Sequence, residues 1–238
     1  MIKELIKNNR NRLSDELQDI HQIKFFSSSI YISANQLIAA ADKYARGRLL
    51  DVGCGHMPFR RALQKGVEKY DSLDIERRVE GVTYVGSALD MHMIGDGQYD
   101  TVICSTVLEH VPRPFQAVKE MRRVLKKDGI ILLSVPHMSR LHEIPHDYFR
   151  FTEYGIREML EKQGFTILQL DVSGSFLSFC AHQFSTVFVC LFWRVPLLKQ
   201  ISFLLNKYLV VLPVSWIEGK IMQKSLMPLN YFCVAKKN

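Results

Sequence analysis

Residues 49–59, LLDVGCGHMPF, run from an apolar stretch into a turn that carries Gly53 and Gly55. A glycine has no Cβ, so the backbone can turn tightly there and a ligand can approach it closely. Taken alone, such a turn is equally a plain connection between two elements. Asp74 adds weight, because it lies 23 residues beyond Asp51 at the end of the next apolar run, YDSLDI. A carboxylate at that separation can accept hydrogen bonds from both hydroxyls of a ribose, as in dinucleotide-binding folds. Gly53-Cys54-Gly55-His56-Met57-Pro58 lacks the third glycine of G-x-G-x-x-G, which argues against a nicotinamide cofactor.

Two further groups could handle a proton. Glu109-His110 follows the apolar run YDTVICS, and the loop PHMSRLHEIPHDYFRFT (residues 136–152) follows GIILLSVP. Ligands in open α/β sheets bind outside the carboxyl ends of strands, so both groups are in the right place. That loop gathers His137, His142, His146, Asp147, Tyr148 and Arg150. His146, His110 and Tyr148 are the candidate catalytic residues, as proton acceptor or substrate hook. The competing reading, in which these side chains only fix their loops by hydrogen bonding, stands beside it, above all for Asp147 with Arg150. His142-Glu143-Ile144-Pro145-His146 spells the H-E-x-x-H of zinc proteases. That chemistry needs both histidines one turn apart on a helix, and Pro145 breaks such a helix. The five cysteines, Cys54, Cys104, Cys180, Cys190 and Cys233, form no C-x-x-C pair. No metal site and no disulfide framework is therefore expected, and a reducing cytoplasm fits.

The elements that position these groups follow from the hydrophobic pattern. RLLDVG, YDSLDI, VTYVGS, YDTVICS, GIILLSVP and FTILQLDV are short apolar runs. They alternate with the amphipathic stretches RALQKGVEK, PFQAVKEMRRVLKK and EYGIREMLEKQG. Alternation of this kind predicts a doubly wound α/β fold, with a mainly parallel sheet and helices on both faces. Lys127-Asp128-Gly129 reads as a helix stop and turn before GIILLSVP. Residues 1–46 read as helices, with one start near Ser14, Asp15 and Glu16, and Ser33 as cap of ANQLIAAADKYAR before Gly47.

DVGCG, Asp74, YDTVICSTVLEHVPRP and AVKEMRRVLKKDGIILLSVP, in this order, resemble the class I methyltransferases that bind S-adenosylmethionine. The resemblance covers residues 45–170 and implies a seven-stranded Rossmann-like sheet with S-adenosylmethionine as cofactor. It implies that Gly53, Cys54 and Gly55 pack against the methionine part, that Asp74 holds the ribose, and that Asp51, Ile75 and Cys104 line the same site. The adenine position falls to Asp90 with Met91, or to Ala88. Met57 stands where the family commonly has a third glycine, which implies an altered turn rather than lost binding. The family shares the Leu-Glu-His of residues 108–110. His-Asp-Tyr-Phe-Arg-Phe-Thr (residues 146–152) resembles methyltransferases of glycan and cell-surface biosynthesis. The expected activity is methyl transfer to O or N of a small-molecule, glycan or lipid-linked acceptor. A nucleic-acid methyltransferase and a non-catalytic binding module are the alternatives.

Residues 172–193 contain no formal charge, and the apolar bias resumes over residues 195–217. That length would allow a membrane span. NYFCVAKK, however, reads as the last sheet strand, which a single crossing would leave on the wrong side of the bilayer. The segment 176–224 is therefore expected as a helical insertion before the last strand, ranked as a lid over an apolar acceptor, then an interfacial contact, then a span. Lys199, Lys207 and Lys220 suit the polar rim of an interfacial helix. The chain divides accordingly into N-terminal helices 1–46, a cofactor-binding core 47–175, the insertion 176–224 and a last strand 225–238, all one domain. Hydrophobic residues at 47% and charged residues at 23% suit a globular chain. The net charge of +7 permits an anionic partner, but no Lys/Arg block with interleaved aromatics supports nucleic acid. The polar N-terminus lacks the apolar stretch of a secretory signal. The expected location is the cytoplasm, with any peripheral contact on the inner face of the membrane.

Overall fold

In the computed structural model, which describes residues 2–221 and 225–238, the chain opens with helices α1 (Ile2–Glu16), α2 (Ile20–Ile23) and α3 (Ser28–Tyr44). Then come β1 (Arg48–Val52), α4 (Arg60–Leu63), β2 (Lys69–Asp74), β3 (Tyr84–Val85) and β4 (Tyr99–Ser105). They are followed by α5 (Pro114–Val124), β5 (Leu125–Pro136), α6 (Glu153–Lys162) and β6 (Phe165–Ser175). Helices α7 (Phe176–Phe192), α8 (Pro196–Asn206) and α9 (Leu212–Ile221) precede β7 (Pro228–Lys237). The seven strands make one sheet in the order β3-β2-β1-β4-β5-β7-β6. Pairing is parallel from β3 through β5 and antiparallel between β5 and β7.

Strand alternation sorts the core into two layers. Leu50, Val52, Val102, Cys104, Ile131, Leu133, Cys233 and Ala235 belong to one buried cluster, with Ala117, Val118 and Met121 of α5 and Ile156, Met159 and Leu160 of α6. Their neighbours Leu49, Ile103, Ile130, Leu132, Phe232 and Val234 belong to another, with Leu37, Ala40 and Ala41 of α3 and Leu63 of α4. Burial on both faces explains why these strands read as continuous apolar runs rather than as alternating ones.

Local details differ from the sequence reading. Ser14, Asp15 and Glu16 lie at the end of α1, not at a helix start, because Ile6, Leu13 and Leu17 place one apolar face over preceding turns. Ser33 lies inside α3, whose first turn is bonded by Ser27 Oγ accepting from the Ile30 N–H. Lys127-Asp128-Gly129 is an irregularity within β5, since Tyr99 pairs with Leu125 but Thr101 with Ile130. Asp128 there has φ +61°.

By contacts the chain divides into two compact units, Met1–Gln36 with Val172–Leu229, and Leu37–Asp171 with Asn230–Asn238. In the first unit Leu13 and Phe26 pack with Val189, Cys190 and Trp193 of the α7 region. Asn9 Nδ2 donates to the Cys190 carbonyl (2.7 Å), and Asn206 Nδ2 to that of Phe26 (2.9 Å). A π turn (Lys207–Val211) joins α8 and α9 into one helix of 26 residues, Pro196–Ile221. The expected insertion ends in residues 222–224, which lie outside the described residues.

This long helix is inverted relative to a core helix. Ser202, Asn206 and Glu218 are buried, whereas Leu197, Ile201, Leu204, Leu205, Leu209 and Trp216 are exposed. It is long and apolar enough to cross a membrane, and only 17% of its most apolar stretch is buried. Glu218 fixes the start of α7. Its Oε1 accepts from the N–H groups of Ser175 (3.2 Å) and Ser178 (2.9 Å) and from their hydroxyls (2.6 and 2.8 Å). A carboxylate at the positive end of a helix dipole is favoured, and here it satisfies four buried donors. Glu218→Ala, measured by urea unfolding, is expected to destabilise the chain by roughly 3 kcal/mol, because those donors lose their partner without access to water.

Candidate functional site

Strand order reverses at β1, so the carboxyl ends of β1 and β4 flank the crevice where open α/β sheets bind ligands. After β1 the N–H groups of Gly53 and Cys54 both donate to the Leu73 carbonyl, at 2.8 and 3.2 Å. Gly53 has φ +73°, and a Cβ on it would lie 2.3 Å from Cγ2 of Val107. Gly55 has φ +53°, but its Cβ position faces open space with nothing within 4 Å. Gly55 N–H donates to Asp74 Oδ2 at 2.8 Å, which joins the turn after β1 to the end of β2. Each carboxylate oxygen can accept more than once, so Asp74 keeps acceptor capacity toward the crevice. Ile75 follows as an exposed apolar surface. An open backbone cradle, a carboxylate and an apolar platform in this order fit a ligand made of an amino acid joined to a nucleoside.

Past β4, Thr106 has φ +53°, unusual for a β-branched residue, and a 3-10 turn holds Leu108–His110. The Glu109 carbonyl accepts from the N–H groups of Tyr148 (2.8 Å) and Phe149 (3.3 Å), which docks the loop 136–152 beside it. His110 Nδ1 donates to the His146 carbonyl at 2.7 Å, and the His110 and His142 rings meet edge to face at 4.7 Å. Asp147 binds Arg150 through both oxygens, at 2.6 and 2.9 Å, and accepts from the His142 N–H at 2.9 Å. The Arg150 hydrogen bonds hold its carboxyl well below the usual carboxylate range. The Asp147–Arg150 pair is therefore the brace of the loop. His146 Nδ1 and the Tyr148 hydroxyl are 3.0 Å apart, and both residues are exposed. Glu109 is fully buried, and burial pushes its carboxyl up to about 7.

A family model described as a methyltransferase domain matches residues 28–170, more than half of the chain. The chain belongs to the methyltransferase-domain family. Its sheet is that of the class I methyltransferase fold. The ubiquinone biosynthesis O-methyltransferase of Vibrio campbellii is 27% identical over 135 residues, covering 51% of this chain and 55% of that protein. The chain thus spans about half the length of the curated relatives it matches. A SAM-dependent methyltransferase from Archaeoglobus fulgidus shares the fold, with a TM-score of 0.57, 17% identity, and 91% of this chain and 98% of that one covered. So does a phosphoethanolamine N-methyltransferase from Haemonchus contortus solved with S-adenosylhomocysteine (TM-score 0.51, 18% identity, 85% and 52% covered).

The side chains of several residues expected at the methyltransferase's cofactor site are buried or engaged with other groups. Asp51 is buried under the turn, where it accepts from the Tyr70 hydroxyl at 2.6 Å, and burial pushes its carboxyl up to about 6. The Cys54 side chain is buried with Met57 and Val82, so only its backbone lines the turn. Cys104 and Met91 are fully buried in the core, which removes their side chains from any ligand. The backbone of Met91 is held by Glu120 and Arg123. The exposed Asp90 carboxylate serves the His92 N–H and ring, at 3.2 and 3.3 Å. H-E-x-x-H lies on a loop, not a helix, and His142 and His146 point to different partners. The contact of Val107 with Gly53 was not legible in sequence. Its one signal is position, two residues past the end of β4.

S-adenosylmethionine, when bound, supplies an activated methyl group on sulfur. The residues that would hold it are Gly53, Gly55, Asp74 and Ile75. Asp74→Ala is expected to weaken binding of S-adenosylhomocysteine about 10- to 100-fold by calorimetry, since one or two charge-assisted hydrogen bonds are worth about 1.5–3 kcal/mol each. Wild-type affinity in the variant would remove Asp74 from the site.

Proposed function

We propose that this methyltransferase methylates an oxygen of a hydroxyl-bearing acceptor that carries, or is dissolved in, an apolar phase. The observation that carries the reading is the exposed His146–Tyr148 pair, docked by backbone hydrogen bonds against Glu109 and His110 just past β4. A hydroxyl nucleophile must lose its proton as the methyl group arrives. An imidazole near neutral pH is well suited to take it, with the neighbouring phenol hydroxyl orienting ring or acceptor. His110 acts as a positioning residue, because its Nδ1–H is spent on the His146 carbonyl. Oxygen as the methylated atom is supported by the relatives named ubiquinone biosynthesis O-methyltransferases. His146→Ala is expected to lower the rate of S-adenosylhomocysteine release with a cell lipid extract as acceptor about 100-fold or more. Its affinity for S-adenosylhomocysteine should stay within a factor of two of wild type. Loss of cofactor binding, or an intact rate, would show the loop to be misassigned.

The inverted helix Pro196–Ile221 supports an apolar acceptor phase. Its leucines and Trp216 are exposed while Asn206 Nδ2 and Glu218 Oε1 find partners inside, the arrangement a lipid interface favours. Lys207 lies over the Phe25 and Tyr208 rings and Lys220 over Trp216, which places cations beside the apolar face. Each such cation near an anionic leaflet is worth about 1 kcal/mol. The protein is expected to float with vesicles containing phosphatidylglycerol and to lose that association at high salt. Trp216 fluorescence should shift to the blue on binding, while the buried Trp193 stays silent. Resistance to carbonate extraction would instead indicate a span, and no binding to any vesicle would remove the membrane from the reading.

A further inference from the structure

Glu109, His110 and His142 each offer a ligand atom, all within 4.8 Å of one another. Three features set this cluster apart from a chance gathering. The Glu109 side chain is fully buried, yet among the described residues neither carboxylate oxygen has a hydrogen-bond partner. Buried polar groups are ordinarily hydrogen-bonded or bound to a metal, because an unsatisfied one away from water is costly. Arg150, the cation beside it, is already engaged by both oxygens of Asp147.

The imidazoles are also oriented for ligation. His110 Nδ1 lies 2.7 Å from the His146 carbonyl, which can only accept, so Nδ1 carries the proton and Nε2 keeps its lone pair. That Nε2 sits 3.9 Å from Glu109 Oε1. His142 Nδ1 lies 3.1 Å from the Arg140 carbonyl and 3.6 Å from Asp147 Oδ2, again acceptors only, which leaves its Nε2 bare. A ring N–H held by a carbonyl or carboxylate is the usual outer support of a metal-ligating histidine.

We infer that Glu109, His110 and His142 bind a divalent transition cation of the zinc class beside the methyl-transfer site. Two imidazole nitrogens and one carboxylate fill three positions and suit zinc better than magnesium. With three protein ligands, such an ion would keep a position for a further oxygen ligand, which an acceptor could supply. The H-E-x-x-H match thus contributes one histidine to a metal site, but with Glu109 and His110 as its companions.

The inference rests on the proposed acceptor side of the methyltransferase, and its test separates the two. Full-length protein stripped with a chelator is titrated by calorimetry with Zn2+ and, separately, with S-adenosylhomocysteine. One equivalent of Zn2+ is expected to bind, with affinity falling at least about 100-fold in His142→Ala and in Glu109→Gln. Affinity for S-adenosylhomocysteine should be unchanged in His142→Ala. Should Glu109→Gln fail to fold, His142→Ala on the loop decides alone. No binding of Zn2+ by the wild type, or binding that His142→Ala leaves unmoved, overturns the site. Absence of S-adenosylhomocysteine binding would instead count against the cofactor reading and leave the Zn2+ result standing.

Discussion

A side chain at residue 53 would have to occupy the space that Val107 fills, with Cβ and Cγ2 only 2.3 Å apart. This close approach sets the geometry of the methyltransferase crevice, because it brings the turn after β1 against the turn after β4. Parallel pairing of β1 with both β2 and β4 delivers three carboxyl ends to one edge of the sheet. The Leu73 carbonyl then collects the N–H groups of Gly53 and Cys54, and Asp74 collects that of Gly55. An open backbone cradle at this edge follows from groups that strand and turn have already aimed, with little demand on side chains.

The buried carboxylates show how differently one problem is solved within a single chain. Asp74 is satisfied by a backbone N–H and keeps capacity for a ligand. Asp51 accepts from a tyrosine hydroxyl and is pushed toward neutrality by its burial. Glu218 gathers four donors at the head of α7. Glu109 alone among these four has none, and it lies directly beside two histidines whose protons point away from it. Its environment is the one that asks for a ligand.

The helix Pro196–Ile221 inverts the rule that brings leucine inside. Asn206 and Glu218 are buried because each finds partners there, in the carbonyls of Phe25 and Phe26 and in the donors of Ser175 and Ser178. The leucines are left outside, where exposing so much apolar surface to water is unfavourable at about 25 cal/mol per Å². Lys207 and Lys220 stand beside that apolar surface, over the rings of Tyr208 and Trp216.

The sequence by itself determined the sheet, the glycine turn after β1 and the acidic residue at the end of β2. Each of these depends on local pattern: apolar runs of strand length, glycines where the backbone needs left-handed torsions, and a fixed spacing between two strand ends. Only the tertiary structure decided which faces the side chains took. Met91 and Cys104 read as site residues and are core, because the β4 face that carries Cys104 and the connection that carries Met91 pack into the cluster with α5. The polarity of the long helix was equally hidden, since its Asn206 and Glu218 are buried only by virtue of partners about 180 and 40 residues away. His142 and Glu109 stand 33 positions apart in the chain and meet because the Glu109 carbonyl captures the loop at Tyr148. Long-range hydrogen bonds of that kind leave no periodic trace in a sequence, and they are what brought this cluster together.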